Sequence, residues 1–358
     1  MNLNTVSRLA PAIYQSGKSL YLKSAPGRGK TTTIIDAVPN IAKVTDKVMG
    51  LVIINGPLLT PADAVGYLVP KHTDDGRVES VYTDPFWWRT TEGKRLEEYE
   101  GGIVFVDEAD KMDFDVKKVI GEMALSGRCG PHKLPDGWVV WMAGNRSQDR
   151  SGSTKELDHL INRRVEIDIT DDIRGWEEWA LKHDTHPDII AFAMQNPQVV
   201  FPESLPEKQG PFCTPRSLVA TGELLATLAG NNDALPTDTD AVELAAGSIG
   251  QAAAAQLFAT LRLRAEMPPF ESIIASPDKV KVPEKPDACM LICYNLAART
   301  DEANLGKIIT YIERMPQDFA ATYAKAVTTR KPTLVARPEM LAWVSRNNTL
   351  MATLHVLA

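Results

Sequence analysis

The stretch SAPGRGKT, residues 24 to 31, decides how this chain folds. It follows the apolar run Leu20 to Leu22 and leads into TTTIIDAV, so strand, glycine-rich loop and helix stand in the order a phosphate-binding loop needs. Backbone N–H groups near Gly27 and Gly29 are expected to cradle phosphate oxygens, backed by the partial positive charge of the helix N-terminus. Lys30 is expected to reach the β and γ phosphates. The Thr31 hydroxyl is a candidate magnesium ligand, because this hard ion takes oxygen donors. The candidate ATP site thus comprises Ser24, Ala25, Pro26, Gly27, Arg28, Gly29, Lys30, Thr31 and Thr32, with Mg2+ as companion. Ser24 stands where the motif begins with glycine. That departure is modest, since close backbone approach depends more on the two glycines beside the lysine.

Outward from the loop, short apolar runs alternate with helical patterns between about residues 19 and 169, which predicts a parallel sheet covered by helices. Five strands are expected, at Leu20 to Leu22, Leu51 to Ile54, Ile103 to Val106, Val139 to Met142 and Val165 to Ile169. Two β-hairpins are inserted: VPKHTDDGRVESVY, turning at Asp75-Gly76, and SGRCGPHKLPDGW before the fourth run. The run GGIVFVDEAD, residues 101 to 110, ends in Asp107 and Glu108. In this sheet class ligands bind beyond the carboxyl ends of the strands, so both acids are expected beside the phosphate loop. Asp107 is then expected to hold magnesium through water and Glu108 to polarise the attacking water.

After residue 170 the pattern turns helical. A nucleotide-binding domain over 1–170, a helical lid over 171–274 and a helical extension over 275–358 are expected, the last opening with the helix-breaking ASPDKVKVPEKP. With 44% hydrophobic and 24% charged residues and a net charge of -7, the chain has an ordinary globular composition. No apolar stretch reaches the roughly 18 residues a membrane span needs, and no cleavable leader is visible, so a cytoplasmic location without membrane contact is expected. Four scattered cysteines (Cys129, Cys213, Cys289, Cys293) suggest buried thiols, not a disulfide framework. Mild acidity argues against a broad grip on nucleic acid, so nucleic acid is a possible partner that nothing in the composition indicates.

With these motifs assembled, the chain resembles AAA+ proteins of the helix-2-insert clade, and among them MoxR-type ATPases. WMAGNRSQDRS, residues 141 to 151, resembles the family's sensor-one segment and implies that Asn145 orients the lytic water. LDHLINRRVEIDI, residues 157 to 169, resembles the segment bearing the arginine finger, which matches Arg163 best, with Arg164 the neighbouring candidate. CTPRSL places Arg216 at the sensor-two position, and Thr214 and Pro215 suit the cap and first turn of its helix. For each arginine the plain alternative is a surface ion pair. The resemblance implies a ring, a hexamer, that remodels a protein partner or complex, together with a partner bearing a von Willebrand factor A domain. Such rings touch substrates through their hairpins; Trp87 and Trp88 in PFWWR adjoin the first one, although paired tryptophans are more often core. The alternative is a nucleic-acid motor or loader of a phage, restriction or defence system. NRSQDRS resembles the MNTxDRS signature of McrB-type GTPases, one residue longer, which leaves ATP against GTP open. A non-catalytic nucleotide switch is a third reading, against which Glu108 and Arg163 argue.

Overall fold

All five expected strands form, and they lie side by side in one parallel sheet. In the computed structural model, which describes residues 1–146, 162–204, 206, 209–230 and 232–347, the chain divides into two compact units, Met1–Asp171 and Asp172–Ala358. The first unit runs α1 (Leu3–Gln15), β1 (Leu20–Ser24), α2 (Lys30–Thr45), β2 (Met49–Asn55), α3 (Pro61–Val65), β3 (Leu68–His72), β4 (Val78–Tyr82), β5 (Gly101–Asp107), α4 (Phe114–Ser126), β6 (Arg128–Cys129), β7 (His132–Lys133), β8 (Trp138–Asn145) and β9 (Val165–Asp168). The main sheet has the order β2-β5-β8-β1-β9 with every pairing parallel. Strands β5 and β8 sit inside the sheet and are buried along almost their whole length, which is why both read as unbroken apolar runs. The edge strand β2 alternates between buried and exposed positions.

Helices cover both faces. Leu20, Leu22, Phe105, Trp141 and Ala143 share one core with residues of α1 and α2, while Tyr21, Val104, Val106, Val140 and Met142 share another with residues of α3 and α4. This is the expected α/β architecture, a five-stranded parallel sheet covered by helices, with both expected hairpins present: β3 pairs antiparallel with β4 and β6 with β7. Trp87 and Trp88 are 1% and 6% exposed, so they are core anchors of this unit. Helix α1 adds to the sequence reading. Its first turn is capped by Asn2, whose side chain accepts from the Thr5 N–H at 2.9 Å, and Tyr14 ties it to the sheet by donating to the Gly137 carbonyl at 2.6 Å.

The second unit is helical throughout its described residues, and one core runs through it, including Phe192, Leu257, Tyr311, Tyr323 and Trp343. The Pro- and Lys-rich stretch separates the helices Phe270–Ala275 and Pro286–Arg299, and residues on both sides of it enter that same core. Two buried carboxylates are paired within it. Glu177 accepts from Tyr294 at 2.5 Å and from Lys325 at 2.6 Å, and Asp188 accepts from Arg264 at 2.7 Å and from Asn295 at 2.6 Å. All four cysteines are buried free thiols. No described helix is long and apolar enough to cross a membrane.

Candidate nucleotide-binding site

The loop from Ser24 to Gly29 turns sharply between β1 and α2. Gly27 (φ 70°) and Gly29 (φ 89°) both occupy the left-handed region that side chains other than glycine disfavour, and Gly29 is the residue from which α2 springs. A methyl group at Gly29 would meet only Leu3 Cδ1 at 3.5 Å, so backbone conformation, not space, demands glycine there. Lys30 opens the helix and is 7% exposed. Its Nζ donates to Ser24 Oγ at 2.9 Å, to the carbonyls of Ser24 and Ala25 at 3.3 and 3.4 Å, and to Asn145 Oδ1 at 3.1 Å. Asn145 ends β8, the strand beside β1, so sheet register brings it to the loop: Ser24 pairs with Asn145.

Asp107 ends β5, on the far side of β8 from β1. Thr31 Oγ1 donates to Asp107 Oδ2 at 2.5 Å, which puts the two candidate magnesium ligands in contact. A hydroxyl and a carboxylate in contact form a hard-oxygen pair of the kind magnesium takes alongside phosphate oxygens and water. Asp107 Oδ1 accepts from the Glu108 N–H at 2.8 Å. Glu108 itself has φ 51°, unusual for a side-chain-bearing residue, and its Oε1 accepts from Lys111 Nζ at 2.9 Å. Thus Ser24, Lys30, Thr31, Asp107 and Asn145 converge, with Glu108 at the rim.

The remaining candidates lie elsewhere. Arg28 points out of the loop: its side chain is 3% exposed and its Nε lies 3.0 Å from Asp171 Oδ1. Arg163 is exposed just before β9. Arg164 is 3% exposed, its guanidinium 4.0 Å from the Tyr21 ring centroid and 2.9 Å from Glu166. Burial alone would raise the Glu166 pKa, but hydrogen bonds from Lys23 and Arg164 outweigh it and leave this carboxyl below its ordinary value. Arg216 lies in the helical unit, exposed in the first turn of the helix Pro215–Ala229. Thr214 caps that helix as expected, accepting from the Ser217 N–H at 3.1 Å. Of the segments 141–151 and 157–169, residues 147 to 161 lie outside the described residues.

Sequence reasoning missed three partners of the site. Lys111 stands three residues after Glu108, a spacing that signals a local pair. Ser24 was placed in the ATP site but its hydroxyl was given no part in holding Lys30, and Asp171, distant in sequence from Arg28, gave no signal. Neither a family model nor a curated protein matches the chain. Among solved structures it is similar to RuvB of Thermotoga maritima, at 13% identity over 77% of this chain and 75% of that one, with a TM-score of 0.39. It is also similar to NtrX of Brucella abortus in complex with ADP, at 14% identity over 91% of this chain and 68% of that one, with a TM-score of 0.41. Both likenesses are remote, and the chemistry of the site rests on its own residues.

Proposed function

We propose that this chain is an AAA+ ATPase that binds Mg-ATP at residues 24–32 and hydrolyses it as a ring, using the energy to remodel a protein partner. The observation that carries the ATPase reading is the 2.5 Å contact between Thr31 and Asp107, brought together from two separate elements beside a buried lysine. The loop amides and Lys30 bind and orient the phosphates, and Thr31 and Asp107 would hold magnesium, which would supply positive charge against the phosphates. Water attacks the γ-phosphorus in line, the bond to the β–γ bridging oxygen breaks, and Glu108 accepts the proton that the water loses. Asn145 orients that water. An arginine from a neighbouring subunit, Arg163 in this reading, stabilises charge on the transferred group, and Arg216 is proposed to serve the nucleotide from the lid. The MoxR-type motifs support a protein target and a von Willebrand-type partner for the ring.

Three measurements test this reading. Lys30→Ala is expected to abolish binding of a fluorescent ATP analogue, and ordinary affinity in that variant refutes the phosphate loop. Competition by ATP and GTP against the same probe reads nucleotide choice. A remodeller's ATPase responds to its protein partner and ignores added DNA; stimulation by DNA that fades as salt rises identifies a nucleic-acid motor instead.

A further inference from the structure

The Lys30 ammonium is held from two sides. On the loop side it donates to Ser24 Oγ at 2.9 Å and to the Ser24 and Ala25 carbonyls; on the strand side it donates to Asn145 Oδ1 at 3.1 Å. An ammonium carries three hydrogens, so these four oxygens already share its donors, and an arriving phosphate oxygen has to displace one of them. The carbonyls are fixed by the backbone of the loop. The Ser24 hydroxyl, 1% exposed at residue level, spends its proton on the Ala25 carbonyl at 2.8 Å and therefore faces Lys30 as an acceptor. Asn145 is the partner that can turn. It is half-buried at the tip of β8, and among the described residues its side chain makes no other hydrogen bond.

We propose that nucleotide binding at this site is an exchange, in which phosphate oxygens replace Asn145 on the Lys30 ammonium while Ser24 keeps its hold. Resting on the ATPase reading of the same site, this makes Asn145 a positioning residue with two opposed effects. Its carbonyl competes with phosphate oxygens for the Lys30 ammonium and so opposes binding, while its side chain, released by the exchange, orients water only when phosphates are in place. The site is thereby guarded against ordering water around an absent substrate.

The two effects separate in Asn145→Ala. Calorimetric titration of the full chain with ADP and magnesium is expected to show binding about 3- to 10-fold tighter, since water only partly replaces a lost charge-assisted hydrogen bond. The same variant loses at least about 10-fold in kcat by phosphate release, within the range for a group that positions a reactant. Ser24→Ala moves ADP binding the opposite way, to weaker, because Ser24 holds Lys30 in both states. Unchanged or weaker ADP binding by Asn145→Ala, with binding still abolished in Lys30→Ala, overturns the exchange and leaves the ATPase reading standing. Ordinary ADP binding by Lys30→Ala overturns both. In the unaltered protein, the Asn145 side-chain amide resonances shift when ADP and magnesium are added; resonances that stay in place also overturn the exchange.

Discussion

Gly144 precedes Asn145 on β8, and a single methyl group there tests how the site is braced. In Gly144→Ala the new Cβ lies well inside contact distance of the Tyr21 hydroxyl and 2.9 Å from Asp110 Oδ1. Neither neighbour has room to yield. Tyr21 is 1% exposed with Arg164 stacked 4.0 Å from its ring centre, and Asp110 is 3% exposed. Replacing glycine by alanine in a strand would otherwise stabilise by about 0.4 to 1 kcal/mol through the unfolded state. Overpacking of this kind costs about 1 to 3 kcal/mol, so the net effect is destabilisation. The mid-range terms leave about 1.3 kcal/mol, and since each kcal/mol moves Tm by about 2 to 4 °C for a unit of this size, a fall of about 3 to 5 °C is expected. Scanning calorimetry reads it, the α/β transition being the one that ADP with magnesium raises. Tyr21→Phe removes the crowded oxygen, so in that background Gly144→Ala should recover about half the loss or more. A Gly144→Ala protein as stable as the parent, or an equal cost in the Tyr21→Phe background, refutes the packing argument.

Further outcomes follow from the same geometry. Glu108→Gln is expected to bind ATP normally and to lose about 10²- to 10⁴-fold in turnover, the usual contribution of a general base; near-normal turnover moves the base elsewhere. Arg163→Ala is expected to keep ATP binding and lose hydrolysis, and mixing it with Lys30→Ala subunits restores part of the activity only if the arginine acts across an interface. Burial pushes the Cys129 thiol up to about 11 and raises Cys293 well above its ordinary value, so native protein at pH 8 should resist a thiol reagent that labels every cysteine once the chain is unfolded.

Much of the site was legible because its parts are local. SAPGRGKT carries its own strand, turn and helix, and the unbroken apolar runs of β5 and β8 announce strands buried on both faces. The meeting of Thr31 with Asp107 was legible at one remove, through the rule that parallel strands present their ends to a common ligand. Contacts that depend on how distant segments thread past each other were not legible. Arg28 and Asp171 meet only because the chain leaving β9 passes the loop, and no spacing encodes that. Helix α1 was missed for a different reason: its buried face of Val6, Ala10, Pro11 and Tyr14 recurs at helical spacing, but Pro11 inside it reads as a helix breaker.

The polarity of the sheet bears on the proposal that hydrolysis requires assembly. Leu20 pairs with Val165 and Lys23 with Asp168, so β1 and β9 begin at the same end of the sheet and the phosphate loop lies at the other. Arg163 precedes β9, at the starting end, and is separated from its own loop by the full length of β1, about 13 Å at about 3.3 Å per residue. An exposed arginine so placed is far from the phosphate loop of its own chain, which agrees with the role across an interface proposed for it. Arg164 has the opposite surroundings: stacked on Tyr21 and paired with Glu166, it is spent on holding the start of β9 against β1. Among the described residues the adjacent pair therefore divides into an anchor, Arg164, and an exposed cation, Arg163. If hydrolysis depends on the exposed one, as proposed, a lone subunit lacks part of its catalytic set.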